Sequence, residues 1–192
     1  MRLLGSTHAL DDWYLIHGFN RSAGLFDGLA SDMREAGMLP HIVDYGHQLT
    51  LSTKSAVKAI IKECPDGCNV IAHSNGAIAA WIAAAESGLW IRKLIMVQPP
   101  IARDAIVPPT IGSCWIVWNK GDKVVSWSRR YNAIIDALLP WNRQSHQLYG
   151  DAGRYGPAEG SRAHSVQVSP LMGHSGIFTR QDWRAVVVEL TR

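Results

Sequence analysis

Short apolar runs alternate along this chain with longer stretches whose apolar residues recur at three- and four-residue spacing. The runs 13–18 (WYLIHG), 41–46 (HIVDYG), 70–73, 93–98 (KLIMVQ), 114–119 (CWIVWN) and 164–170 (HSVQVSP) read as β-strands. They are brief, rich in β-branched or aromatic residues, and bounded by turn formers. Between them, 24–36 has helical spacing, and 53–64 places Ala56, Val57, Ile60 and Ile61 on one helical face. From Gly76 onward a run of small, strong helix formers follows: Ala77, Ile78, Ala79, Ala80, Ile82, Ala83, Ala84 and Ala85. Residues 127–139 predict a helix stopped by Pro140, and 180–192 a closing helix.

Strand–helix alternation of this kind predicts a parallel sheet with helices on both faces. The expectation is therefore an α/β fold: a minimal three-layer α/β/α sandwich of about six mostly parallel strands. Two connections are long, 99–113 and 140–163, and neither divides the chain, so residues 1–192 read as one domain. The first of them is too short to carry an inserted cap domain.

Composition narrows the class. Hydrophobic residues make up 47% of the 192 and charged ones 18%, a globular balance. The net charge of +3 comes from scattered lysines and arginines without a basic stripe, which argues against nucleic acid as a partner. No apolar run nears the ~18 residues of a membrane span, so no integral membrane association is expected. The opening MRLLGSTHALDDWY lacks the apolar core of a signal peptide, and a cytoplasmic location is expected, with secretion left open. Cys64, Cys68 and Cys114 are expected as free buried thiols, although the first two flank Pro-Asp-Gly and a small loop disulfide is the alternative. No second ligand pair stands at metal spacing, and GDAGRYG (150–156) lacks the Lys-Ser/Thr of a phosphate loop. Neither a metal nor an organic cofactor is expected.

Four strand ends carry reactive residues, and in an open parallel sheet such groups gather beyond the carboxyl ends of the strands. Ala72-His73-Ser74-Asn75-Gly76 sits where a strand turns into a helix. Such a turn crowds the residues two before and two after the serine, which Ala72 and Gly76 satisfy, and it lifts the hydroxyl clear of the sheet. His73 neighbours Ser74 directly, so it reads as packing support rather than as a base. In IHGFN (16–20) a His-Gly turn presents the amide of Phe19, which with the amide of Asn75 makes a two-donor oxyanion hole; His17 itself reads as a buried loop-fixing residue. In WNKGDKVV (118–125) Asp122 is placed to orient a histidine, with Asp44, Asp104 and Asp151 as competitors. In LMGHSGIF (171–178) glycines flank His174, with His146 and His164 as alternatives.

Together these motifs resemble the α/β-hydrolase family, whose triad runs serine, acid, histidine in chain order. The resemblance covers about residues 12 to 190. It implies Ser74 as nucleophile, His174 as base and Asp122 as its partner. In length and in its Ala-His-Ser-x-Gly elbow the chain is similar to the minimal, lidless bacterial lipases and esterases. The small serine hydrolases related to retinoblastoma-binding protein 9 share the elbow but lack the His-Gly turn. The chain departs from esterases whose first loop holds three or four glycines, and its serine separates it from the aspartate-dependent haloalkane dehalogenases. The expected activity is hydrolysis of a small-molecule or lipid ester. Thioester or amide substrates, cofactor-free haloperoxidase chemistry and a non-catalytic binding role on the same fold are the alternatives. Phe19, Pro99, Ile101 and Met172 are candidates for an apolar substrate wall. Nothing in the residues sets the oligomeric state.

Overall fold

The computed structural model of the chain describes residues 11–18, 22–46, 53–125 and 148–192. Its six strands are β1 (Asp12–Ile16), β2 (Leu39–Val43), β3 (Cys68–His73), β4 (Ile91–Val97), β5 (Ile111–Trp118) and β6 (His164–Gln167). They form one sheet in the order β2-β1-β3-β4-β5-β6, and every neighbouring pair is parallel. The helices are α1 (Asp27–Glu35), α2 (Lys54–Glu63), α3 (Asn75–Ser87) and α4 (Gln181–Glu189). There are also a one-turn helix at Ala152–Tyr155 and three short 3-10 turns. The helix expected over 127–139 lies outside those residues.

Alternation within the strands builds two cores. Ile16, Val70, Ala72, Leu94, Met96, Cys114 and Ile116 face α2 and the alanine-rich α3. Leu15, Ile71, Ile95, Val97 and Val117 face the opposite way, against Leu29 and Met33 of α1 and Val187 of α4. Burial on both sides of the sheet is why the inner strands read as continuous apolar runs. β3, buried at all six positions, is the extreme case. The small side chains of α3 let it settle close on the sheet, and its last turn ends at Gly88 in the left-handed conformation (φ 72°). On the other face, Arg184 of α4 grips Asp32 of α1 with two hydrogen bonds of 2.6 and 3.2 Å. Its guanidinium comes within 2.9 Å of where a β-carbon on Gly28 would be.

Strands are longer at their amino ends than their apolar runs imply. β2 begins at Leu39-Pro40, tolerated because it is an edge strand. β3 begins at Cys68, β4 at Ile91 and β5 at Ile111, each carrying polar residues or glycine into the ladder. All three cysteines are free and buried. Burial pushes the Cys114 thiol up to about 12, and Cys64 is raised first by a hydrogen bond with Cys68 and then by burial. Both keep their protons and are poor nucleophiles.

The chain runs from β1 outward to β2 and then returns to β3 on the other side of β1. The strand order therefore reverses between β1 and β3. A crevice at such a switch point is where open α/β sheets place their chemistry.

Candidate active site

Ser74 sits on the turn between β3 and α3 with φ 52° and ψ −125°. A side-chain-bearing residue is held there only by its surroundings, at a cost of about 1–3 kcal/mol. Those surroundings are tight. A β-carbon on Gly76 would lie 2.3 Å from the carbonyl oxygen of His17 and 2.7 Å from that of Ile16. One on Gly18 would lie 2.8 Å from Cβ of Ser74. The glycine of the elbow and the glycine of the His-Gly turn are thus two sides of one contact between the ends of β1 and β3. His17 stacks on Tyr45 at 4.0 Å, and the Tyr45 hydroxyl donates to the His17 carbonyl. His17 accordingly fixes this loop, as its burial predicts.

Asp122 lies in the turn after β5. The Asn119 carbonyl accepts from the Asp122 amide, and the Asn119 side chain accepts from the Gly121 amide at 2.7 Å. Asp122 is fully buried. Its Oδ1 accepts from the Val125 amide at 3.0 Å, and its Oδ2 accepts from Nδ1 of His174 at 2.7 Å. Because a carboxylate only accepts, the proton of a neutral His174 sits on Nδ1, leaving Nε2 as an acceptor. Nε2 lies 2.7 Å from Oγ of Ser74, which donates to it. The His174 side chain is 13% exposed.

Ser74, His174 and Asp122 therefore form one unbroken hydrogen-bonded row. The other acids stand apart from it: Asp104 is exposed, Asp44 lies beside His17 at 4.0 Å, and Asp151 begins the one-turn helix. His164 stacks on Trp115 at the sheet edge, and His146 lies outside the described residues.

The loop carrying His174 is fastened by residues whose roles no sequence motif announces. His73 donates from Nε2 to the His174 carbonyl at 2.9 Å, and its ring packs edge-on against Phe178. Gln98 and Asn119, at the ends of β4 and β5, both donate side-chain amide protons to the Gly173 carbonyl, the latter at 3.0 Å. The stretch GDAGRYG is a structural brace. The amides of Gly150, Ala152 and Gly153 donate to the carbonyls of Pro100, Ile101 and Pro99, and the Asn119 amide donates to the Gly153 carbonyl. Gly153 packs where a β-carbon would be 2.6 Å from Gln98 backbone. Close approach explains these glycines without any phosphate.

Asn75 is buried at the first turn of α3, and its side-chain oxygen accepts from the Tyr149 hydroxyl. Burial raises Tyr149 above the ordinary tyrosine range, so this donor stays protonated. Phe19 lies outside the described residues. Of the other wall candidates, Pro99 is buried in the connection after β4. Ile101 belongs to the core under α3, whereas Met172 belongs to the core on the opposite face of the sheet. The structure does not bring Ile101 and Met172 together. Among the described residues no three His, Cys, Asp or Glu side chains gather as a metal site, and no helix is long and apolar enough to cross a membrane.

A six-stranded parallel sheet in this order, with a serine on the turn after the strand beside the switch point, is the α/β-hydrolase fold. No family sequence model matches the chain, and no curated protein sequence does. Solved structures do. The chain is similar to the mature lipase BlEst2 of Bacillus licheniformis, with a TM-score of 0.60 at 8% identity over 100% of this chain and 96% of that one. It is similar to dienelactone hydrolase of Anabaena variabilis, with a TM-score of 0.59 at 16% identity over 96% and 84%. A monoacylglycerol lipase of Paleococcus ferrophilus gives a TM-score of 0.56 at 12% identity over 94% and 93%. At these identities the likeness is one of fold.

Proposed function

We propose that this chain is a serine hydrolase of the α/β-hydrolase superfamily, cleaving carboxylic esters through an acyl-enzyme on Ser74. The observation that carries this reading is the Asp122–His174–Ser74 row, two hydrogen bonds of 2.7 Å each joining three separate strand ends. His174 takes the hydroxyl proton as Ser74 Oγ attacks the ester carbonyl, and Asp122 holds the Nδ1 tautomer and stabilises the imidazolium. The tetrahedral oxyanion is held by the amide of Asn75, aided by the amino-terminal end of α3; the second donor expected from the sequence, the amide of Phe19, lies outside the described residues. His174 then returns the proton to the leaving alkoxide. A water deprotonated by His174 attacks the acyl-enzyme, releasing the acid and restoring Ser74.

These steps use groups of the chain and water only. Esters are favoured over amides because an alkoxide needs less protonation to depart than an amine does. The similar structures include two lipases and a dienelactone hydrolase, which supports a small-molecule or lipid ester as substrate.

The test is labelling with a fluorophosphonate together with turnover of p-nitrophenyl esters of rising chain length. One label at Ser74 is expected, and Ser74→Ala, folded by circular dichroism, should lose labelling and at least about 10⁴-fold in turnover. Ester turnover surviving in folded Ser74→Ala would overturn the reading.

A further inference from the structure

Gln98 is a residue whose placement the fold alone does not explain. It follows β4, and its amide still pairs with the Val117 carbonyl at 2.8 Å. Its backbone is nevertheless left-handed (φ 50°), and among the described residues only Ser74 shares that feature without being glycine. Its side chain is entirely buried. Nε2 donates to the Gly173 carbonyl, while Oε1 is buried without a hydrogen-bond partner among the described residues. The amide cannot be turned around to relieve this, because two oxygens would then face each other.

An orphaned buried oxygen and a strained backbone both oppose folding. An apolar side chain of the same length would remove the first of these costs. What Gln98 supplies instead is a hydrogen bond to the residue directly before His174. Asn119 makes the same bond, but its side chain also braces the Asp122 turn through Gly121. Gln98 has no such second duty.

We propose that Gln98 is a positioning residue for the general base: it fixes the Gly173 carbonyl, and so holds the His174 imidazole in line between Ser74 and Asp122. This rests on the serine-hydrolase reading above and adds a residue to it. Misplacement of a base by about 1 Å from outside the reacting groups is worth up to about 100-fold in rate. Substrate binding, which does not involve Gln98, should be spared.

The variants are Gln98→Met, which keeps length and burial, and Gln98→Ala as a second in case methionine packs badly. Three quantities are read: kcat and KM for p-nitrophenyl acetate, Tm, and the downfield proton resonance of the His174 Nδ1–H bonded to Asp122. The expected result for Gln98→Met is a kcat lower by about 10- to 100-fold, KM within about twofold, Tm equal or higher, and the downfield resonance broadened by exchange with water. Parental kcat in a folded variant overturns the proposal. So does a kcat loss that tracks a fall in Tm with the resonance unchanged. If the parent chain proves inert to esters and to fluorophosphonate, the ester reading fails by itself. The resonance then decides the clamp separately, broadening in Gln98→Met supporting it and an unchanged line overturning it.

Discussion

Ser74 and His174 meet at 2.7 Å, yet the chain holds them in opposite ways. The serine is set by close backbone packing. Its turn joins β3 to α3 with no intervening loop, and backbone crowding at Gly18 and Gly76 leaves it one position. The histidine is set from afar. Its loop is pinned by side chains 54, 75 and 101 residues away, those of Asn119, Gln98 and His73. Close packing fixes a nucleophile through sterics, which cannot be loosened by degrees. A long-range device fixes a base through single hydrogen bonds, each of which can be removed and replaced. The two regions should therefore respond differently to mutation, one by unfolding and the other by graded loss of turnover.

The largest effect is expected on the steric side. Gly76→Ala puts a β-carbon 2.3 Å from the His17 carbonyl oxygen, and neither β1 nor α3 can shift without disturbing the core between them. A loss of about 3 kcal/mol or more is expected, at the upper end of overpacking. Urea unfolding measures it, and the turnover of the remaining folded fraction should collapse with it. A stable, active Gly76→Ala protein would show that the elbow is softer than its geometry implies.

On the hydrogen-bonded side a graded response is expected. His73→Leu removes the donor to the His174 carbonyl and should lower turnover per folded molecule by about tenfold, with a stability loss of about 1–3 kcal/mol for the stranded carbonyl. His73→Gln places an amide donor at similar reach and should recover most of the turnover. Equal losses in both variants would mean that His73 acts through ring packing on Phe178 rather than through its hydrogen bond.

The same contrast explains what the sequence disclosed. Elbow, acid turn and glycine-flanked histidine loop were legible because each is a short pattern whose meaning lies within a few residues of itself. The parallel sheet followed from alternation, and the six apolar runs all became strands. The early starts of β3, β4 and β5 were hidden because Asn69, Arg92 and Gly112 break the apolar pattern. Pairing with buried neighbours carries the ladder through them, a tertiary effect that local propensity does not contain. Gln98 and Asn119 were invisible as braces for a similar reason: an amide at a strand end has no motif, and its partner is named only by the fold. GDAGRYG reads as a loop, and only the close packing of Gly150 and Gly153 on residues 98–102 shows why its glycines stand there.

The smallest effect sharpens the comparison most. Tyr149 donates to the side-chain oxygen of Asn75, a tertiary hydrogen bond aimed at the elbow rather than at the histidine loop. If sterics already fix the elbow, this bond is surplus to positioning. Tyr149→Phe should then cost about 1 kcal/mol of stability and change turnover by no more than about threefold. Its pH behaviour follows from burial, which raises Tyr149 above the ordinary value of 10.0. A raised folded-state value means that the tyrosine's contribution is fully present below 10.0 and is lost as pH climbs toward the higher folded value. The stability gap between parent and Tyr149→Phe should therefore hold constant through neutral pH and narrow above 10.0, as urea midpoints at a series of pH values would show. The pH profile of kcat/KM should be the same in both proteins, since a hydroxyl that stays protonated adds no ionisation to it. A tenfold fall in turnover in stable Tyr149→Phe would place the elbow, like the histidine loop, under hydrogen-bond control.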